Sequence, residues 1–105
     1  MGSADARPLV SIIAPIYNEE DVLEEFLERT MATLEELDDK YTFEVIWVDD
    51  GSTDKSLRIA KKLADSEPLL RVVELRRNYG QTAALQAGLD AGEGENMITM
   101  DADLQ

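Results

Sequence analysis

Four short apolar runs alternate with three helix-like stretches along this chain, and that alternation leaves few folds open to it. Leu9-Val10-Ser11-Ile12-Ile13-Ala14, ended by Pro15, reads as a buried strand. Asn18 then stands ready to cap a helix whose apolar positions are Val22, Leu23, Phe26, Leu27, Met31, Leu34 and Leu37, a stripe spaced by threes and fours. Phe43-Glu44-Val45-Ile46-Trp47-Val48 is rich in β-branched and aromatic residues and reads as a second strand. A Gly51-Ser52 turn follows, and Ser52 or Thr53 can cap a helix carrying Leu57, Ala60, Leu63 and Ala64, with Pro68 beyond its end. Arg71-Val72-Val73-Glu74-Leu75 forms a third strand. Residues 81–91 form an alanine-rich helix, and residues 96–100 a fourth, buried strand. The order βαβαβαβ predicts an α/β fold, a parallel sheet covered by helices on both faces. Right-handed crossovers give the strand order 3-2-1-4.

The 105 residues suit one domain with a modest core. Residues 1–8 are expected to be a flexible leader and 9–105 the folded unit. With 23 acidic against 10 basic side chains the net charge is −13, which argues against nucleic acid as a partner. There is no cysteine and no histidine. Thiolate metal sites, disulfides and histidine-based catalysis are therefore excluded. No apolar stretch approaches the ~20 residues that span a bilayer, so a cytoplasmic location is expected for the chain. Eleven acids lie between Asn18 and Glu44 against Arg29 and Lys40, and most fall on the outer face of the first helix, where a solvated surface accounts for them.

In parallel sheets ligands bind outside the carboxyl ends of the strands. Here a polar cluster follows every strand: Tyr17-Asn18-Glu19, Asp49-Asp50, Arg77-Asn78, and Asp101 with Asp103. Any one of them has a plain structural explanation. Asp-x-Asp alone is more often a pair of solvated loop carboxylates, Asp49-Asp50-Gly51-Ser52-Thr53-Asp54 fits a capping loop, and Arg76, Arg77 and Gly80 fit a strand exit as well as a phosphate contact. Four clusters on one rim are harder to attribute to chance. Residues i and i+2 of an extended segment share a side, so Asp101 and Asp103 can converge on one hard cation such as Mg²⁺. Neither a Gly-x-Gly-x-x-Gly turn nor a Gly-x-x-x-x-Gly-Lys loop is present.

The segments Val10-Ser11-Ile12-Ile13-Ala14-Pro15-Ile16-Tyr17-Asn18-Glu19-Glu20, Val48-Asp49-Asp50-Gly51-Ser52-Thr53-Asp54, Arg77-Asn78-Tyr79-Gly80 and Met100-Asp101-Ala102-Asp103-Leu104-Gln105 together resemble the amino-terminal half of a family 2 glycosyltransferase. The branch most similar contains dolichol-phosphate mannose synthase and the bacterial polyprenyl-phosphate glycosyltransferases. The resemblance implies a Rossmann-like, nucleotide-binding half of a GT-A fold. It implies that Pro15, Tyr17, Glu19, Val48, Asp50, Asp101 and Ala102 line the nucleotide of a UDP- or GDP-sugar. It implies Mg²⁺ or Mn²⁺ at Asp101, Asp103 and Gln105, with Asp103 the leading direct ligand. The sugar would pass with inversion to an acceptor, a polyprenyl phosphate for the full-length enzyme at the cytoplasmic face of the membrane. Family members continue past this motif into an acceptor-binding half that carries the catalytic base, so this chain is expected to bind donor without transferring sugar alone. The competing reading is a non-catalytic α/β nucleotide-binding or assembly module. An exposed sheet edge further leads us to expect a homodimer.

Overall fold

The computed structural model describes residues 6–102. Its elements run β1 (Leu9–Ile16), α1 (Leu23–Glu35), β2 (Thr42–Asp49), α2 (Ser56–Ser66), β3 (Leu70–Glu74), α3 (Gln81–Ala91) and β4 (Asn96–Thr99). The strands form one sheet in the order β3-β2-β1-β4, and all three pairings are parallel. The expected topology is the observed one.

Alternation along each strand divides the core into two layers. Val10, Ile12, Ala14 and Ile16 of β1 join Val45 and Trp47 of β2 under α1 and α2. Trp47 is wholly buried and stacks on Phe26 of α1 at 5.6 Å between ring centroids. The opposite side chains, Ile13, Ile46 and Val48, pack with Ala84 of α3. That helix lies close to the sheet, for a Cβ on Gly88 would sit 2.4 Å from Ile13 Cγ2. Helices therefore cover both faces, and each begins at the carboxyl rim of the sheet, where the preceding strand ends.

Three expectations change on inspection. Asn18 does not cap α1, which begins only at Leu23 after a turn closed by a hydrogen bond from Val22 N to the Glu19 carbonyl. Asn18 instead has φ 53°, a left-handed conformation that asparagine tolerates better than most residues. That geometry turns its amide toward the next loop. Second, β4 is not a buried strand, because all four of its residues are exposed. It lies at the end of the sheet with β1 as its neighbour, and Ile98 is 50% exposed. Third, Arg7 and Pro8 already engage the body. The Pro8 carbonyl accepts from Thr42 N at 3.0 Å, and the Arg7 guanidinium donates to the Asp38 carbonyl.

Candidate functional site

The β1–α1 and β2–α2 loops are tied together by hydrogen bonds that sequence spacing does not reveal. The Asn18 Oδ1 accepts from Thr53 N at 2.8 Å and Asp54 N at 3.3 Å. Asn18 N donates to Ser52 Oγ at 3.0 Å, and Glu19 N donates to Ser56 Oγ at 2.7 Å. Glu20 closes the set, its N donating to Asp54 Oδ2 and its carboxylate accepting from Lys55 N. Ser52 and Thr53 thus join loops rather than cap α2, while Asp54 Oδ1 takes the N–H of Ser56 at 2.8 Å. Burial pushes the Asp54 carboxyl up, but hydrogen bonds from Ser56 and the Glu20 backbone outweigh it and hold the group below its usual range. Held on this frame, Tyr17 remains 43% exposed at the rim.

Asp50 ties the second loop to the third. Its Oδ1 accepts from Tyr79 N at 2.8 Å, and its Oδ2 accepts from Gly80 N at 3.0 Å and Asn78 Nδ2 at 3.1 Å. The residue is 3% exposed. Gly51, at φ 73°, lets the two loops touch: a Cβ there would lie 2.3 Å from backbone atoms of Arg77 and Asn78. Beyond the clasp, the Arg77 guanidinium sits 5.2 Å from the centre of the Tyr79 ring. Asp49 points to the other layer. Its Oδ2 accepts from Ser52 N at 3.2 Å, whereas its Oδ1 and the indole N–H of Trp47 are buried without a partner among the described atoms.

These loops enclose a cleft of about 260 Å³ lined by Pro15, Tyr17, Glu19, Asp50, Gln81, Asp101 and Ala102. Six of these seven are residues singled out in the sequence. Val48 does not reach it, since its side chain is fully buried in the layer under α3. Gln81 was missed. It is the first residue of α3, and helices of a parallel sheet start on the ligand-binding rim, so its position was the available signal. The cleft is just under the roughly 300 Å³ at which ligand pockets usually begin, enough for a nucleoside-sized group rather than a whole nucleotide sugar. Its charged lining is acidic, Glu19, Asp50 and Asp101.

Asp103 and Gln105 lie outside the described residues. Among those described, no three acidic side chains gather as a ready metal cage. The donors are nevertheless of the right kind, because Asp101 offers a hard carboxylate oxygen at the cleft wall. A cation there would need diphosphate oxygens and water to complete its shell.

The profile of glycosyl transferase family 2 matches residues 11–105. The chain belongs to that family. Over 98 residues it is 49% identical to the undecaprenyl-phosphate 4-deoxy-4-formamido-L-arabinose transferase of Pseudomonas fluorescens, a match covering 91% of this chain and 28% of that protein. It is 47% identical over 97 residues to the dodecaprenyl-phosphate galacturonate synthase of Rhizobium johnstonii, again covering 91% and 28%. The chain therefore spans little more than a quarter of these relatives. Among solved structures, the mannosyltransferase PcManGT of Pyrobaculum calidifontis, in complex with GDP-Man and Mn²⁺, superposes with a TM-score of 0.76 at 36% identity over 92% of this chain and 28% of that one. S. aureus TarS 1-349 in complex with UDP gives 0.72 at 34% identity, covering 90% and 27%. The family 2 fold seen here is thus the Rossmann-like α/β arrangement of GT-A glycosyltransferases.

Proposed function

We propose that this chain is the donor-binding part of a glycosyltransferase that takes a UDP- or GDP-sugar and, in the whole protein, passes the sugar to a polyprenyl phosphate with inversion. The observation carrying this reading is the meeting of Tyr17, Asp50 and Asp101, from the ends of three different strands, in one cleft of a family 2 chain. Relatives named for undecaprenyl and dodecaprenyl phosphate support the acceptor class, and neighbours complexed with GDP-Man and with UDP support the donor class.

Each residue has chemistry suited to its part. The exposed ring of Tyr17 offers a flat face on which a base can stack. The Asp50 carboxylate has capacity for about four hydrogen bonds and spends three on residues 78–80, which leaves one for a base N–H or a ribose hydroxyl. Asp101 would meet the ribose or a divalent cation. The acidic lining repels a diphosphate, so a cation must come between them. When bound, Mg²⁺ or Mn²⁺ supplies charge stabilisation to the departing diphosphate. Asp103 and Gln105 would complete the cation's protein ligands. The base that activates an acceptor, or an acceptor phosphate already ionised, would act from the larger protein.

Backbone amide spectra recorded during titration with UDP and with GDP test the assignment. The expected shifts concentrate on Tyr17, Glu19, Asp50, Gln81, Asp101 and Ala102. Shifts confined to the amino end of the sheet, or none at millimolar nucleotide, contradict it.

A further inference from the structure

The opposite end of the sheet carries a second polar network, built around Ser11, Glu44 and Arg71. Ser11 is completely buried, and its Oγ donates to Glu44 Oε2 at 2.5 Å while accepting from Gly94 N at 2.9 Å. The same Glu44 oxygen accepts from Glu93 N at 2.6 Å. Its other oxygen lies 3.4 Å from Arg71 Nη2, and that nitrogen also donates to the Ala91 carbonyl at 2.7 Å. Glycine is required in this turn, since a Cβ on Gly94 would fall 2.6 Å from Ser11 Oγ and 2.7 Å from Ser11 N. Three strands thus grip the segment joining α3 to β4.

The next strand has little of its own to set its position. Register is specified by a buried face or by turn geometry. All four residues of β4 are exposed, and although Met100 and Ala102 just beyond pack against the core, β4 depends on the turn before it to enter the sheet in register. It pairs with β1 from Val10↔Asn96 to Ile13↔Thr99, and Asp101 follows two residues later. A slip of one residue turns every side chain to the other face and moves the chain by about 3.3 Å. Either change would take the Asp101 carboxylate out of the cleft.

We propose that Ser11, Glu44 and Arg71 are positioning residues: they pin the α3–β4 turn, set the register of β4, and so aim Asp101 into the cleft at the far end of the sheet. The link to Asp101 rests on the donor-site reading given above. The grip on β4 stands apart from it.

Two measurements on Glu44→Ala and on the shape-conserving Glu44→Gln decide the matter. In hydrogen exchange, the amides of the β4 segment that are bonded to β1, such as those of Glu95 and Met100, should exchange at least tenfold faster in Glu44→Ala relative to wild type, while those of residues 45–48 accelerate far less. Glu44→Gln, which keeps an acceptor but loses the charge, should fall between. Equal acceleration of both segments marks general destabilisation and overturns the proposal, as does unchanged protection in β4. In titrations with UDP, metal-free affinity should stay within about twofold of wild type, because Tyr17 and Asp50 follow β1 and β2. The gain on adding Mn²⁺ should shrink at least fivefold in Glu44→Ala, and an undiminished gain overturns the link to Asp101. Should wild type itself show no gain with Mn²⁺, the donor-site reading fails, and with it the link to Asp101, while the exchange comparison still decides the grip on β4.

Discussion

At Asp50 one carboxylate serves the fold and the cleft together. A rim acid read from sequence is expected to be dispensable to folding, yet here it is buried and accepts the N–H groups of Tyr79 and Gly80 and the amide of Asn78. Asp50→Ala leaves those donors unsatisfied, so it should lower stability by about 1–3 kcal/mol as well as weaken nucleotide binding. Urea unfolding checks this, and an unchanged midpoint would show that the clasp is incidental. Asp54 offers a pH test. Its folded value lies below the ordinary 3.8, so its contribution is complete above that pH and is lost as pH falls through the lower folded value. Asp54→Asn should accordingly be less stable than wild type at pH 7, and the two should converge in strong acid. Tyr17, Asp50 and Asp101 were legible because each follows a strand end, whereas Gln81 was marked only by its place at the rim, since a glutamine opening a helix has no distinctive pattern of its own. The hydrogen bonds of Asn18 were equally hidden, because its partners stand 35 and 36 residues further along the chain.

Among the elements, the strands followed from hydrophobic pattern and their order from the right-handed crossover rule, and two places show where that pattern stops informing. Residues 18–22 look like the start of α1 because Asn18 is a good cap and Val22 begins the apolar stripe. The cross-loop bonds of Asn18 and Glu19 hold those two residues in the loop, and α1 begins only at Leu23. The apolar composition of Met97, Ile98 and Met100 suggested burial for β4, but composition cannot say whether a strand lies inside a sheet or at its end. Close approach between elements gives two further predictions. Gly88→Ala places a Cβ 2.4 Å from Ile13 Cγ2 and 3.1 Å from Val48 Cγ2. Such overpacking should cost about 1–3 kcal/mol, offset in part by the roughly 1 kcal/mol that alanine gains over glycine in a helix. Gly51→Ala meets backbone rather than side chain and also strains a residue at φ 73°. It should therefore lower the thermal midpoint more than Gly88→Ala does, and the reverse order would contradict the close loop contact.

For the molecule as a whole, charge and an exposed edge oppose each other. The end strand β4 presents Met97 and Ile98 to solvent, and exposed edges invite pairing with another chain. A net charge of −13 resists that pairing until salt screens it. Sedimentation should then show a monomer at low ionic strength and a growing dimer fraction as salt and protein concentration rise; a monomer under every condition would remove the edge as a contact. On the proposed reading the same acidity governs the cleft, where Glu19, Asp50 and Asp101 would repel a bound diphosphate unless a cation came between them. Metal and nucleotide should consequently bind weakly alone and strengthen each other reciprocally, by the roughly 5- to 150-fold typical of coupled sites. Asp103→Asn should remove most of that gain. Calorimetric titration of the chain with UDP and with GDP, with and without Mn²⁺, tests this most directly. At least one nucleotide should bind, and Mn²⁺ should tighten it at least fivefold in wild type, as a metal-bridged donor site requires. Failure of both nucleotides to bind, or an affinity indifferent to the metal, would contradict it.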